Sequence, residues 1–149
     1  VYFLSAFDEN EAPPLYFTAE MPKGSGPQTV AAAREALKPA EVIMAEADGA
    51  TVLRQGDVFA IAHPGLLTRD LPGPSQQQAL VLGVNHRATE VRVKDGRTYA
   101  RGFLRQNRTP AEHHAVELGD RKTWHHLLRN TVPWQGGRPA AWSIRGRVD

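Results

Sequence analysis

The sequence predicts an α+β fold: a predominantly antiparallel sheet or small barrel, with one or two helices in the first third of the chain. Three observations carry that expectation. Helical spacing of apolar residues is confined to residues 28–48. Short alternating runs separated by turn residues fill the chain from Thr51 onward. Asp95-Gly96, set between two such runs, is the strongest hairpin signal present. The 149 residues match one ordinary domain, read as a single domain over 1–149.

Each element follows from local pattern. Val1 to Phe7 and Leu15 to Ala19 are apolar runs around the polar Asp8-to-Pro14 turn, hence a hairpin. Ser25 with Gln28 has capping-box spacing, Thr29 is a rival N-cap, and Val30, Ala33 and Leu37 share one helical face. Pro39 cannot continue that helix and opens a second one to Asp48, with Gly49 just past its end. Val52-Leu53 and Val58 to Ile61 flank Arg54-Gln55-Gly56-Asp57 as strands. Pro64 to Gln78 reads as loop, and Ala79 to Leu82 as a buried strand. Residues 89–94 and 97–103 form the Asp95-Gly96 hairpin, and further strands are expected around 114–118, 124–129 and 141–145.

Charge divides the chain. Residues 1–50 carry three basic and eight acidic groups, whereas residues 51–149 carry fifteen basic and eight acidic ones. Thirteen of those fifteen are arginine, whose planar fork matches phosphate and carboxylate. An acidic hairpin-plus-helix part over 1–50 is therefore followed by a basic, β-rich part over 51–149, and an anionic partner is expected for the latter. The two parts complementing each other within one fold is the competing explanation. No apolar run approaches the roughly 18 residues of a membrane span, so no membrane partner is expected. The chain has no cysteine, which excludes disulfides, thiolate catalysis and cysteine-based zinc sites. That composition fits a reducing, cytoplasmic setting. P-loop and dinucleotide fingerprints and a G-x-S-x-G elbow are all missing from the sequence.

Histidines carry most of the candidate chemistry. Four of the six form the pairs His113-His114 and His125-His126. If both segments are strands joined through Gly119 to Lys122, one imidazole of each pair faces its counterpart, with His86 as a third member. Two imidazoles near neutral pKa suit acid–base catalysis on a phosphodiester, with His113 and His125 as acid and base and His86 assisting. Arg54 and Arg101 would then hold phosphate, with Arg87, Arg105 and Arg129 among the surrounding arginines. The alternative is a divalent transition-metal site formed by His86, Glu90, His113 and His125, although no H-E-x-x-H signature supports it. The plain reading is that these histidines are solvated or structural.

Two further features bear on ligands. Arg54-Gln55-Gly56-Asp57 suggests a tight turn in which Arg54 binds an anion and Asp57 orients a histidine, or in which the two pair with each other. Arg92, Lys94, Arg97, Arg101, Arg105 and Arg108 interleave with Tyr99 and Phe103. Arginines and aromatics thus share one strand face, as a nucleic-acid surface requires. The same pattern fits aromatics entering a core with arginines at its rim. A third class, a non-catalytic assembly protein, would use Trp134 and the acidic first third as contacts.

Several short strings are similar to those of small uncharacterised bacterial and phage proteins. They are Tyr2 to Asp8, Arg54 to Phe59, Asn85 to Glu90, Glu112-His113, Trp124-His125 and Arg129 to Pro133. The resemblance carries no activity. It implies that His113 and His125 are the motif members of their pairs, and that Arg54, Asp57, His86 and Glu90 belong to one surface.

Overall fold

The computed structural model describes residues 3–8, 15–21, 26, 29–83, 85–107, 114–130 and 141–142. In chain order the elements are β1 (Phe3–Asp8), β2 (Leu15–Glu20), α1 (Val30–Ala36), α2 (Ala40–Ala47), β3 (Val52–Gln55) and β4 (Val58–His63). There follow β5 (Gln76–Leu80), β6 (His86–Lys94), β7 (Arg97–Gln106), β8 (Val116–Leu118), β9 (Trp124–Arg129) and β10 (Ala141–Trp142). The α+β class is as the sequence predicts. The chain divides into two compact units, Val1–Lys38 with Thr131–Asp149, and Pro39–Asn130. The division falls between the helices, whereas the change in charge falls at residue 50.

In the first unit β1, β2 and β10 form a three-stranded antiparallel sheet, with Leu4 opposite Ala19 and Ala141 opposite the same residue. Thr29 is the N-cap of α1, its Oγ1 accepting from Ala32 N at 3.1 Å. Ala33 and Leu37 pack with Leu4 and Met21.

The second unit contains a seven-stranded sheet in the order β3-β4-β9-β7-β6-β5, with β8 also on β7. All its ladders are antiparallel, and β3 and β5 remain as edges, so it is an open sheet and not a barrel. One face buries Val58, Ala60, Val81, Ala88, Val91, Ala100, Leu104, Leu118 and Leu127. On the other face α2 sets Val42 against Phe59 and Ile61, and the chain between β4 and β5 sets Leu71 against Tyr99 and Trp124. Pro39 sits at the N-cap of α2, where its carbonyl accepts from Val42 and Ile43. The two-residue turn between β6 and β7 has positive φ at both Asp95 and Gly96, the geometry that matches strand twist.

Three expectations are corrected here. The buried strand placed at 79–82 is instead the largely exposed Gln76–Leu80, because Gln76, Gln77, Ala79 and Leu80 pair with β6 in one unbroken register, while Gln78 stands unpaired at positive φ. Its glutamines have no apolar alternation, so only main-chain pairing reveals the strand. Second, β8 and β9 do not form a hairpin. Both run antiparallel to β7, β8 opposite residues 102–104 and β9 opposite residues 98–100, so they lie end to end along one side of it. Asp120 shapes the connection, accepting from Lys122 N at 2.9 Å and Thr123 N at 2.7 Å, which holds its carboxyl down at about 2. Third, the register of β6 on β7 shifts between Ala88 and Glu90. The shift separates inward His86 and Ala88 from Glu90, which regular alternation would have put on their face.

At that shift Gly102 has φ +90°, and a Cβ there would come within 2.6 Å of Thr89 Cβ. Thr89 Oγ1 accepts from Phe103 N at 3.0 Å, tying the irregularity together. We expect Gly102→Ala to cost about 2–3 kcal/mol, several degrees in Tm. Gly49→Ala, at φ +79° but in open space, should cost only about 1 kcal/mol. Thermal unfolding of both variants checks this, and equal effects would contradict the close approach at Gly102.

Candidate functional site

The arginine–aromatic row of β7 is crossed at its middle by the segment linking β4 to β5. Thr68 Oγ1 there accepts from Trp124 Nε1 at 3.2 Å and from Arg101 Nη1 at 3.3 Å. Arg101 lies 4.7 Å over the Trp124 ring and donates to Glu90 at 2.6 Å. Arg92 donates to the carbonyls of Leu71 and Gly73, each at 2.9 Å. Burial pushes the Glu90 carboxyl up, but hydrogen bonds from Ser75 and Arg101 and the charges of Arg101 and Arg92 outweigh it and hold it below its usual value. Tyr99 is buried with Leu71 and Trp124. Arg101, Arg92 and Tyr99, read from sequence as ligand contacts, therefore fasten this crossing segment to the sheet.

Beyond the crossing, the row emerges as an exposed patch. Arg105 lies 5.1 Å and Arg121 4.8 Å from the Phe103 ring centroid. Register sets Arg87 directly opposite Arg105, a like-charge pair that disfavours the sheet when nothing lies between. Arg87 is turned aside to Asn107 Oδ1 at 2.8 Å and the Gln78 carbonyl at 2.6 Å. Arg121 is paired with Glu117 at 2.9 Å; no carboxylate among the described residues pairs with Arg105.

At the other end of the row a histidine cluster forms that the sequence reading did not anticipate. His63, at the exposed end of β4, lies 6.3 Å from His126, ring centroid to centroid. Tyr99 stands 6.1 Å from His63 and 5.4 Å from His126. His126 Nδ1 is 3.7 Å from Glu41 Oε2 on α2, and Arg97 Nη2 is 3.7 Å from the same oxygen. Phe59, Ile61 and His63 share one strand parity, as do Trp124, His126 and Leu128, so each face was readable. The β4–β9 pairing that joins them spans about sixty residues of sequence, and nothing local encodes it.

The opposite face holds the other predicted residues. Arg129 donates to Asp57 Oδ2 at 2.9 Å, and His86 Nδ1 lies 3.9 Å from Asp57 Oδ1. Gln55, 2% exposed, donates to the His114 carbonyl, leaving its Oε1 buried without a partner. Asp57, His86 and Arg129 are thus brought together. Arg54 is not among them: it donates to Gly56 O at 2.7 Å and lies 5.4 Å over Phe59, so it does not pair with Asp57.

His125 is only 1% exposed; its Nδ1 donates to the Thr123 carbonyl at 2.9 Å, so the buried Nε2 carries the lone pair. It pairs with Ala100 at one end of β7 while His86 pairs with Gln106 near the other, about 20 Å of strand contour away. His125 and His86 therefore do not meet, and His113, Glu112, Arg108 and Trp134 lie outside the described residues. Glu90 faces Arg101, away from His86. Among the described residues no three His, Asp or Glu side chains converge on a metal-sized site, nor is any helix long and apolar enough to cross a membrane.

No protein-family model, curated protein or solved structure matches the chain.

Burial is the largest cause lowering the pKa of His63, His125 and His126 below 6.5, because the charged imidazole loses hydration. The unfolded chain therefore binds more protons than the folded one just below that value. Stability is complete above 6.5 and is lost as pH falls through the lowered folded values. Thermal unfolding from about pH 7.5 to about pH 5 should show Tm falling. A Tm that is flat or rises on acidification would contradict neutral, buried imidazoles.

Proposed function

We propose that the protein binds an anionic ligand, single-stranded nucleic acid, through the open end of the β7 row. The observation that carries this reading is the pair of guanidinium groups held at about 5 Å from one half-buried aromatic, with a third arginine opposite Arg105 in the register. Contact with an aromatic ring orients a guanidinium and reduces the freedom it loses on binding. Its planar face then stacks on a base while its N–H edge meets phosphate. Charge supports the reading too: among the described residues around Phe103, Arg87, Arg105 and Arg121 outnumber Glu117, which pairs with Arg121. With Arg87 turned aside to Asn107 and Gln78, a ligand phosphate would meet Arg105 on this face, and binding would stabilise the folded sheet by mass action. A cytoplasmic setting, where such ligands are abundant, accords with the absence of cysteine.

Fluorescence anisotropy with a labelled single-stranded oligonucleotide tests the proposal. Binding should weaken with salt at a slope near −2, from roughly three arginine–phosphate contacts. Arg105→Glu or Phe103→Ala should weaken it about tenfold or more. Salt-independent binding, or unchanged affinity in both variants, would remove this patch from consideration.

A further inference from the structure

We infer that His63 and His126 are the proton-transferring pair of a centre that cleaves RNA by internal transesterification. Two imidazoles stand 6.3 Å apart on one face of the sheet, His63 on the open rim and His126 on the floor. Glu41 of α2, 3.7 Å from His126 Nδ1, draws the proton to that nitrogen and leaves Nε2 as the acceptor. Arg97, 57% exposed and only loosely held by Glu41 at 3.7 Å, is the cation available to a phosphate. Tyr99 packs against both rings and fixes their separation. With RNA as the substrate, the attacking oxygen is one that the ligand itself brings beside the scissile phosphate. The ribose 2′-hydroxyl is such a group, and deoxyribose lacks it.

The step balances without a further reactant. His126 takes the 2′-hydroxyl proton as the 2′-oxygen bonds to phosphorus. The bond from phosphorus to the 5′-oxygen breaks, and His63 gives its proton to that leaving oxygen. The products are a 2′,3′-cyclic phosphate and a free 5′-hydroxyl. The groups facing the pair are Glu41 from α2, Arg97 and Tyr99 from β7, and each imidazole itself. Glu41 favours a proton on His126, whereas Arg97 and His63 oppose it. Burial, the largest cause, lowers both His126 and His63 below 6.5, so activity should peak on the acid side of that value.

The substrate class rests on the nucleic-acid reading above; the pairing of the histidines does not. The test incubates the full chain with a short labelled RNA and with DNA of the same sequence, and measures binding to each in parallel. Cleavage of RNA alone, with cyclic phosphate ends, is expected. His63→Ala, at an exposed position, should lower the rate about 100-fold or more with affinity and Tm unchanged. His126→Asn should do the same where it folds, and Glu41→Gln should shift the pH optimum downward. RNA that is bound but not cut would overturn the catalytic inference and leave the binding reading standing. RNA neither bound nor cut would sink both. DNA cut as fast as RNA, or a His63→Ala rate equal to the parent, would also overturn it.

Discussion

Everything in the larger unit depends on how β7 is held. It pairs with β6 along its length on one side and with β9 and then β8 on the other. A central strand with no free edge has its alternation imposed on every neighbour, since a slip of one residue exchanges the two faces. Ala100 and Leu104 are fixed in the core, and Arg97, Tyr99, Arg101, Phe103 and Arg105 are fixed on the other face. Gly102 permits the one irregularity, and Thr89 closes it. The separation of His86 from Glu90, and of either from His125, follows from that one arrangement of strands.

The segment from β4 to β5 then decides which parts of the charged row are open to solvent. Its Leu71 covers Tyr99, its Thr68 receives Trp124 and Arg101, and its carbonyls receive Arg92. Desolvating a guanidinium is costly unless its N–H groups find acceptors, and Glu90 with these carbonyls supplies them. What remains accessible is the two ends: guanidinium groups on Phe103 at one, and His63 above the buried His126 at the other. They have different chemistry, one suited to holding an anion and the other to moving a proton.

Much of the fold was legible because it is written in local pattern. The two helices, the stop at Pro39, the Asp95-Gly96 turn and the strand at 124–129 follow from caps, φ requirements and alternation. β5 lies three residues earlier at its start than the strand expected at 79–82, because glutamines carry no burial signal and only pairing with β6 makes them a strand. The candidate site was legible in part. Asp57, His86 and Arg129 meet, as their grouping on one surface implied for the first two. His125 was favoured over His126, yet neighbours in a strand face opposite ways, and it is His126 that shares a face with His63 and Tyr99. Which face each histidine shared depended on the partner strand, and β4 is distant in sequence. His63, a lone histidine after an apolar run, offered no motif at all.

The most direct test of the face assignment is an NMR titration of the imidazoles in the parent and in His63→Ala. His63 and His126 should titrate below 6.5, and removing His63 should raise the His126 midpoint by removing a neighbouring charge. A His126 midpoint that does not move, or that lies at 6.5 in the parent, would mean that the two imidazoles do not share a site.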